Sequence, residues 1–172
     1  VALLIDGAAY YRAFMQAARK ARRSIVIVGW DFNSRSALEI DDQSRPCTYL
    51  GAFLNELARA RRKLRIRVLE WDYPVIFGVD RELSPLYGLS WKPHRRVQFR
   101  FDDTHPLAAS HHQKIVVIDD RVAFVGGLDL TSKRWDTQAH RPDDPGRTFE
   151  GKPYPPMHDV MVCVDGEAAA AL

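Results

Sequence analysis

The run Ser24-Ile-Val-Ile-Val-Gly-Trp30 constrains this chain more than any other stretch, because it is apolar at consecutive positions and not at alternate ones. A strand with water on one face alternates, whereas a continuous run suits a strand covered on both faces, as in α/β sheets. Its surroundings agree. Asp6 is placed to cap a helix over 8–22, where Tyr10, Phe14, Ala17 and Ala21 recur at helical spacing. After a polar loop, 31–46, a second helix is expected over 48–63, with Leu50, Phe53, Leu54, Leu57 and Ala58 on one face, and 64–69 alternates as a strand. This order predicts parallel crossovers and a layered α-β-α sandwich built on a mixed, largely parallel sheet. Further strands are expected over 97–101, 110–118, 121–125 and 159–164, the middle two forming a C-terminal hairpin joined at Asp119-Asp120. Two long stretches, 72–94 and 131–157, show neither period, and loops of that length tend to carry function.

Composition narrows the class. A chain of 172 residues at 46% hydrophobic and 27% charged is long enough for one core, so residues 1–172 are read as a single domain. No uncharged apolar run approaches the roughly 20 residues that a membrane-spanning helix needs. Cys47 and Cys163 lack metal-ligand company and are expected as buried free thiols, which fits a reducing compartment and a cytoplasmic or membrane-associated location. The N-terminus shows no signal segment, and Glu167-Ala-Ala-Ala-Ala-Leu172 starts a helix too short to stand by itself. Both ends are therefore read as boundaries of a fragment. A net charge of +3 is mild, but cations gather at 19–23, 59–67 and 95–100, which suits contact with an anionic lipid surface or with nucleic acid.

Chemistry concentrates in His111-His-Gln-Lys-Ile-Val-Val-Ile-Asp-Asp-Arg-Val-Ala-Phe-Val-Gly-Gly-Leu-Asp-Leu130. His112 and Lys114 are two apart on an expected strand, so both side chains leave one face and can converge on one small group. A neutral imidazole beside an ammonium is suited to attack on, or protonation of, a phosphate. Gly126 and Gly127 would let backbone approach a bound anion.

The segment resembles the motif of the phospholipase D superfamily, His-x-Lys-x4-Asp-x6-Gly-Gly, and matches it at His112, Lys114, Asp119, Gly126 and Gly127. Five fixed positions recur by chance in on the order of one in ten thousand chains of this length. Gly29-Trp-Asp31, Gly127-Leu-Asp-Leu130, Arg134-Trp-Asp136 and His158-Asp-Val160 look like the bacterial and eukaryotic phospholipase D branch, so the resemblance covers most of the chain. It implies His112 as the nucleophile of a phosphohistidine intermediate and Lys114 as a clamp on the phosphoryl oxygens, with no metal and no cofactor. The family's site uses two such motifs and this sequence holds one. A second half, in the same parent chain or from a two-fold partner, is therefore expected, and the chain itself is read as the first-motif half.

Asp159 stands where the family carries an acidic residue bonded to the motif His, and is read as the partner that orients His112. Asp129, where many relatives have Asn, is a candidate contact for the phosphate site, on condition that its charge is balanced by Lys114. Trp30 and Trp135 are candidates for the substrate mouth, and the aromatic-rich loop 72–94 for an acyl or head-group pocket. Asp119 is read as structural: seven strand residues put it roughly 20 Å from His112, so it serves as a turn residue bonding local amides. His94, His105, His111, His140 and His158 are read as satisfied or solvated. The substrate is expected to be a phospholipid, hydrolysed or transphosphatidylated. Nucleic acid as the phosphodiester, or a silent half-domain acting as a scaffold, are the alternatives.

Overall fold

The computed structural model describes residues 1–40, 48–72, 91–104, 106 and 109–172. Cys47, His105 and most of the loop 72–94 lie outside them. The chain opens with strand β1 (Ala2–Ile5), helix α1 (Asp6–Ala18) and strand β2 (Ser24–Gly29). Two short strands, β3 (Ala37–Glu39) and β4 (Thr48–Tyr49), precede helix α2 (Leu50–Ala60). Then come β5 (Arg65–Trp71), β6 (Val97–Asp102), β7 (Ile115–Ile118) and β8 (Val122–Gly126). A small hairpin of β9 (Thr148–Phe149) and β10 (Lys152–Pro153) leads to β11 (Val160–Asp165) and a single helical turn, α3 (Glu167–Ala170).

Seven strands form one sheet in the order β1-β11-β8-β7-β2-β5-β6. It is a mixed sheet in a layered α/β fold, but it is not largely parallel. Only β2 with β5 and β5 with β6 run parallel, while β2–β7, β7–β8, β8–β11 and β11–β1 are antiparallel. The reason is local: the β7–β8 hairpin inserts beside β2 and turns every later pairing antiparallel. One face is packed by α1 and α2, whose Tyr10, Phe14, Leu50, Phe53, Leu54 and Leu57 meet Ile25, Ile27, Ile66, Val68 and Phe124. On the other face Val117 and Ala123 pack with Ala169 of α3. Among the described residues no helix is long and apolar enough to cross a membrane.

Asp6 does not cap α1. The cap position is Ile5 and no side-chain cap bond forms, while Asp6 itself has φ +68° and a fully buried carboxylate directed elsewhere. Cys163 is a half-buried free thiol on β11.

The hairpin turn explains Asp119. Asp119 and Asp120 have φ of +54° and +56°, the left-handed region that primed hairpin turns require, and Arg121 N donates to Ile118 O at 3.0 Å. The amides that Asp119 binds are not local, however. Its carboxylate accepts the N–H groups of Arg22, Arg23 and Ser24 at 2.7, 2.7 and 2.8 Å, tying the hairpin tip to the entry of β2. These bonds outweigh desolvation and hold the carboxyl below the usual carboxylate range. A lowered carboxyl supplies stability that is present above its unfolded value and lost as pH falls through its folded one. Asp119→Ala is therefore expected to cost about 2 kcal/mol in urea unfolding at neutral pH, with the gap to the parent closing on acidification. A gap that stays constant down to acid pH would show that the charge is not what matters.

Candidate functional site

Antiparallel pairing brings several chain segments to one edge of the sheet. The C-terminal end of β2, with Trp30 and Asp31 just beyond it, lies beside the residues leading into β7, and β8 returns to the same edge at Gly126. The ends of β5 and β6 lie there too, and the carboxyl ends of such strands are where α/β sheets bind ligands. Asp119 follows the far end of β7, away from the residues that precede the strand.

His112 and Lys114 lie just before β7 and not inside it, although the ladder nearly reaches them: Gly126 N donates to Lys114 O at 3.3 Å. They do share a face. The His112 ring meets Trp30 edge-on with centroids 5.7 Å apart, and Lys114 Nζ sits 5.7 Å from the centroid of the same indole. His112 is exposed, while Lys114 is buried, its ammonium 3.2 Å from Asp129 Oδ2. Trp30 stacks in turn on Trp71, with centroids 5.9 Å apart, so the imidazole stands at the end of an aromatic wall.

The Lys114 ammonium thus stands against the Asp129 carboxylate and balances its charge. Its Oδ1 also accepts the Trp30 N–H at 2.9 Å. Burial pushes its carboxyl up, and Lys114 and the backbone amides only partly offset this. The loop carrying it is anchored from below by Tyr11, whose hydroxyl reaches Asp129 O and Thr131 O at 3.2 and 3.1 Å.

The glycine pair meets a packing demand within the sheet. A Cβ at Gly126 would collide with Val160 O and come within 2.8 Å of Met161 Cα, both on β11. A Cβ at Gly127 would occupy the place of the Asp159 carboxylate. The glycines therefore admit the neighbouring strand and its acidic residue. Since Gly126 faces backbone and Gly127 a side chain that can rotate, Gly126→Ala is expected to lose about 3 kcal/mol in chemical denaturation and Gly127→Ala about 1 kcal/mol. Adding Asp159→Ala should restore only the second loss, and equal losses would refute this packing.

Asp159 lies against Gly127 and accepts the Val160 N–H at 2.7 Å. Among the described residues no hydrogen bond joins it to the His112 ring. Trp135 is not beside Trp30: it packs against Gly146 and lines a pocket with Ala8, Arg12 and Met15 of α1. Of the other histidines, His111 Nδ1 pairs with Asp102 at 2.8 Å. His94 Nδ1 faces the Arg96 N–H at 3.3 Å.

Two features escape a reading of the sequence. Asp136 is fully buried and gathers the Thr137 and Met157 amides, His140 Nδ1 and Arg147 Nη1 within 3.2 Å, which holds its carboxyl below the usual range despite desolvation. His140 and His158, read as satisfied or solvated, both converge on Asp6. Arg134-Trp-Asp136 was the available signal for the first. Nothing in the spacing announces the second.

No family model matches the chain. Phospholipase D B of Dictyostelium discoideum is 31% identical over 156 residues, covering 87% of this chain and 12% of that protein. Phospholipase D C of the same organism is 30% identical over 194 residues, covering 96% and 12%. The chain thus spans about 12% of the length of these curated relatives. Among solved structures, a phospholipase D family member, Nuc from Salmonella typhimurium, matches with a TM-score of 0.52 at 13% identity, covering 99% of this chain and 87% of that one. At that identity the likeness is one of fold.

Proposed function

The chain belongs to the phospholipase D superfamily, and on that premise we propose that it supplies one half of the active site of a phospholipase D-type phosphodiesterase, with His112 as nucleophile. The observation that carries the proposal is the meeting of exposed His112 and buried Lys114 at Trp30. An imidazole nitrogen of His112 attacks phosphorus, and the N–P bond forms as the P–O bond to the leaving alcohol breaks. The departing oxygen takes a proton from an acid on the far side, supplied by a second motif in the parent chain or by a two-fold partner. Water or an acceptor alcohol, deprotonated by that same group, then attacks phosphorus and frees His112. The Lys114 ammonium faces the non-bridging oxygens, and its pairing with Asp129 fixes where it points. Asp159 fills the space beside Gly127 at the end of β8. The chain alone lacks the proton donor and is expected to turn over nothing as a monomer.

A phospholipid substrate is supported by the curated relatives, which carry the name phospholipase D, and by the apolar Trp30–Trp71 wall beside the nucleophile. The exposed cations Arg59, Arg62, Lys63, Arg65 and Arg67 suit a peripheral contact with an anionic membrane surface. The test is a covalent adduct. With both halves present, phosphatidylcholine vesicles and a single-stranded oligonucleotide are offered separately, and the protein is quenched at alkaline pH, where phosphohistidine survives. Mass spectrometry should find a phosphatidyl adduct on the peptide bearing His112 with the lipid only. An adduct with the oligonucleotide alone would move the substrate to nucleic acid, and turnover without any adduct on His112 would remove the mechanism.

A further inference from the structure

We propose that Asp6, His140 and His158 form a binding site for a divalent transition cation of the zinc type, separate from the phosphodiester site. The three residues come from distant parts of the chain: the junction of β1 and α1, the loop after β8, and the position two residues before β11. Each offers one ligand atom, and the three atoms lie within 4.8 Å of one another. His158 Nδ1 is 2.7 Å from Asp6 Oδ1, and His140 Nε2 is 3.2 Å from Asp6 Oδ2. A tetrahedral ion with bonds of about 2.1 Å holds its ligands roughly 3.4 Å apart, so small side-chain shifts would seat one.

Three further observations favour a cation over a simple histidine–carboxylate contact. First, Asp6 is fully buried, yet its Oδ2 accepts no aligned hydrogen bond among the described residues, although a histidine nitrogen stands beside it. A buried carboxylate oxygen left so is costly, and a bound cation satisfies it. Second, His140 stands between two carboxylates, with Nε2 toward Asp6 and Nδ1 3.0 Å from Asp136 Oδ2. Carboxylates only accept. With Nδ1–H given to Asp136, the Nε2 lone pair points at the Asp6 side, which is the carboxylate–histidine–metal arrangement found around metal-ligating imidazoles. Asp136 is itself held rigidly by Arg147 and two backbone amides. Third, both Asp6 and His140 have positive φ, at 68° and 42°, a conformation that is strained for non-glycine residues and that clusters at functional sites.

Two imidazoles and one carboxylate suit zinc better than calcium or magnesium, which take oxygen donors. The ligands line an open depression with Ile5 and Gln138, so water can complete the coordination. Such an ion would clamp the start of α1, the loop 131–157 and the start of β11 together. Because Asp6 N also donates to Asp159 O at 2.9 Å, the clamp reaches the residue packed beside Gly127. The site does not depend on the phosphodiesterase reading.

The test uses the tag-free chain with Zn2+ or Co2+ alone. One equivalent of Co2+ should give the intense visible bands of a tetrahedral site, and excess Zn2+ should bleach them and raise the thermal midpoint. His158→Ala, whose side chain is 66% exposed, and His140→Ala should keep the circular dichroism of the parent and each lose both effects. Absence of both effects in the parent would overturn the proposal. So would their persistence in either variant, which would place the ion elsewhere. Should His140→Ala fail to fold, His158→Ala decides the matter alone.

Discussion

His112→Ala is expected to lower phosphodiester turnover by several orders of magnitude in the enzyme completed by its second half, while leaving the fold intact. Both parts follow from the same geometry. The ring is exposed and, among the described residues, meets Trp30 edge-on, so its removal leaves no cavity and should shift stability by only about 0.5 kcal/mol. On the proposed mechanism the chemistry has no substitute, because the residue assigned to form the bond to phosphorus is gone and only binding and electrostatic stabilisation persist. Steady-state kinetics on a phosphatidyl substrate, with urea unfolding of the same preparation, checks both halves. Turnover within tenfold of the parent would mean that the nucleophile belongs to the other motif. A large loss of stability would mean that His112 is a packing residue.

Lys114→Met should produce the largest stability change of any single substitution at this site, about 3 to 5 kcal/mol, because it leaves the Asp129 carboxylate buried with its cation removed. The side chains of Lys114 and Asp129 are 7% and 1% exposed, so water cannot stand in for the lost ammonium. Burial already pushes the Asp129 carboxyl up, and without Lys114 it rises further. A carboxyl raised in the folded state takes up its proton there before it does so in the unfolded chain. Its penalty is therefore complete above the folded value and shrinks as pH falls through it toward the unfolded one. The Lys114→Met deficit should accordingly diminish on acidification. Asp129→Asn placed on top should recover most of it at neutral pH. A deficit that neither acid nor Asp129→Asn relieves would show that the lysine stem, and not the charge pair, is what the fold needs.

The parts of this molecule that could be read from its residues are those governed by short-range periodicity. The two-residue spacing of His112 and Lys114 places them on one face whether or not the ladder is formally extended to them. The tight polar joint Asp119-Asp120 between two β-branched runs reads as the hairpin. What could not be read is what the hairpin does to the sheet, since nothing in Ile115–Ile118 says that it pairs with β2 and so ends the parallel part. β1 was missed because four residues at a chain end, with Leu3 exposed, carry no face pattern of their own. Asp6 misled for a physical reason: an acidic residue before a helical repeat is the ordinary mark of a cap, and only the tertiary structure shows the carboxylate committed to two distant histidines. At Gly126 and Gly127 the sequence does not announce that β11 and the Asp159 side chain come this close.

The tie between Asp119 and the entry of β2 joins residues 95 positions apart in sequence. β1, at the very start of the chain, pairs with β11 near its end. Contacts of such separation form only after the entropy of closing long loops has been met, which makes them slow and late. A partly folded chain could possess α1, α2 and the parallel strands β2, β5 and β6 and still have no convergence of imidazole and ammonium at Trp30. Assembly of the proposed half-site is then a property of the last stage of folding, and unfinished copies would lack it by construction of the topology itself.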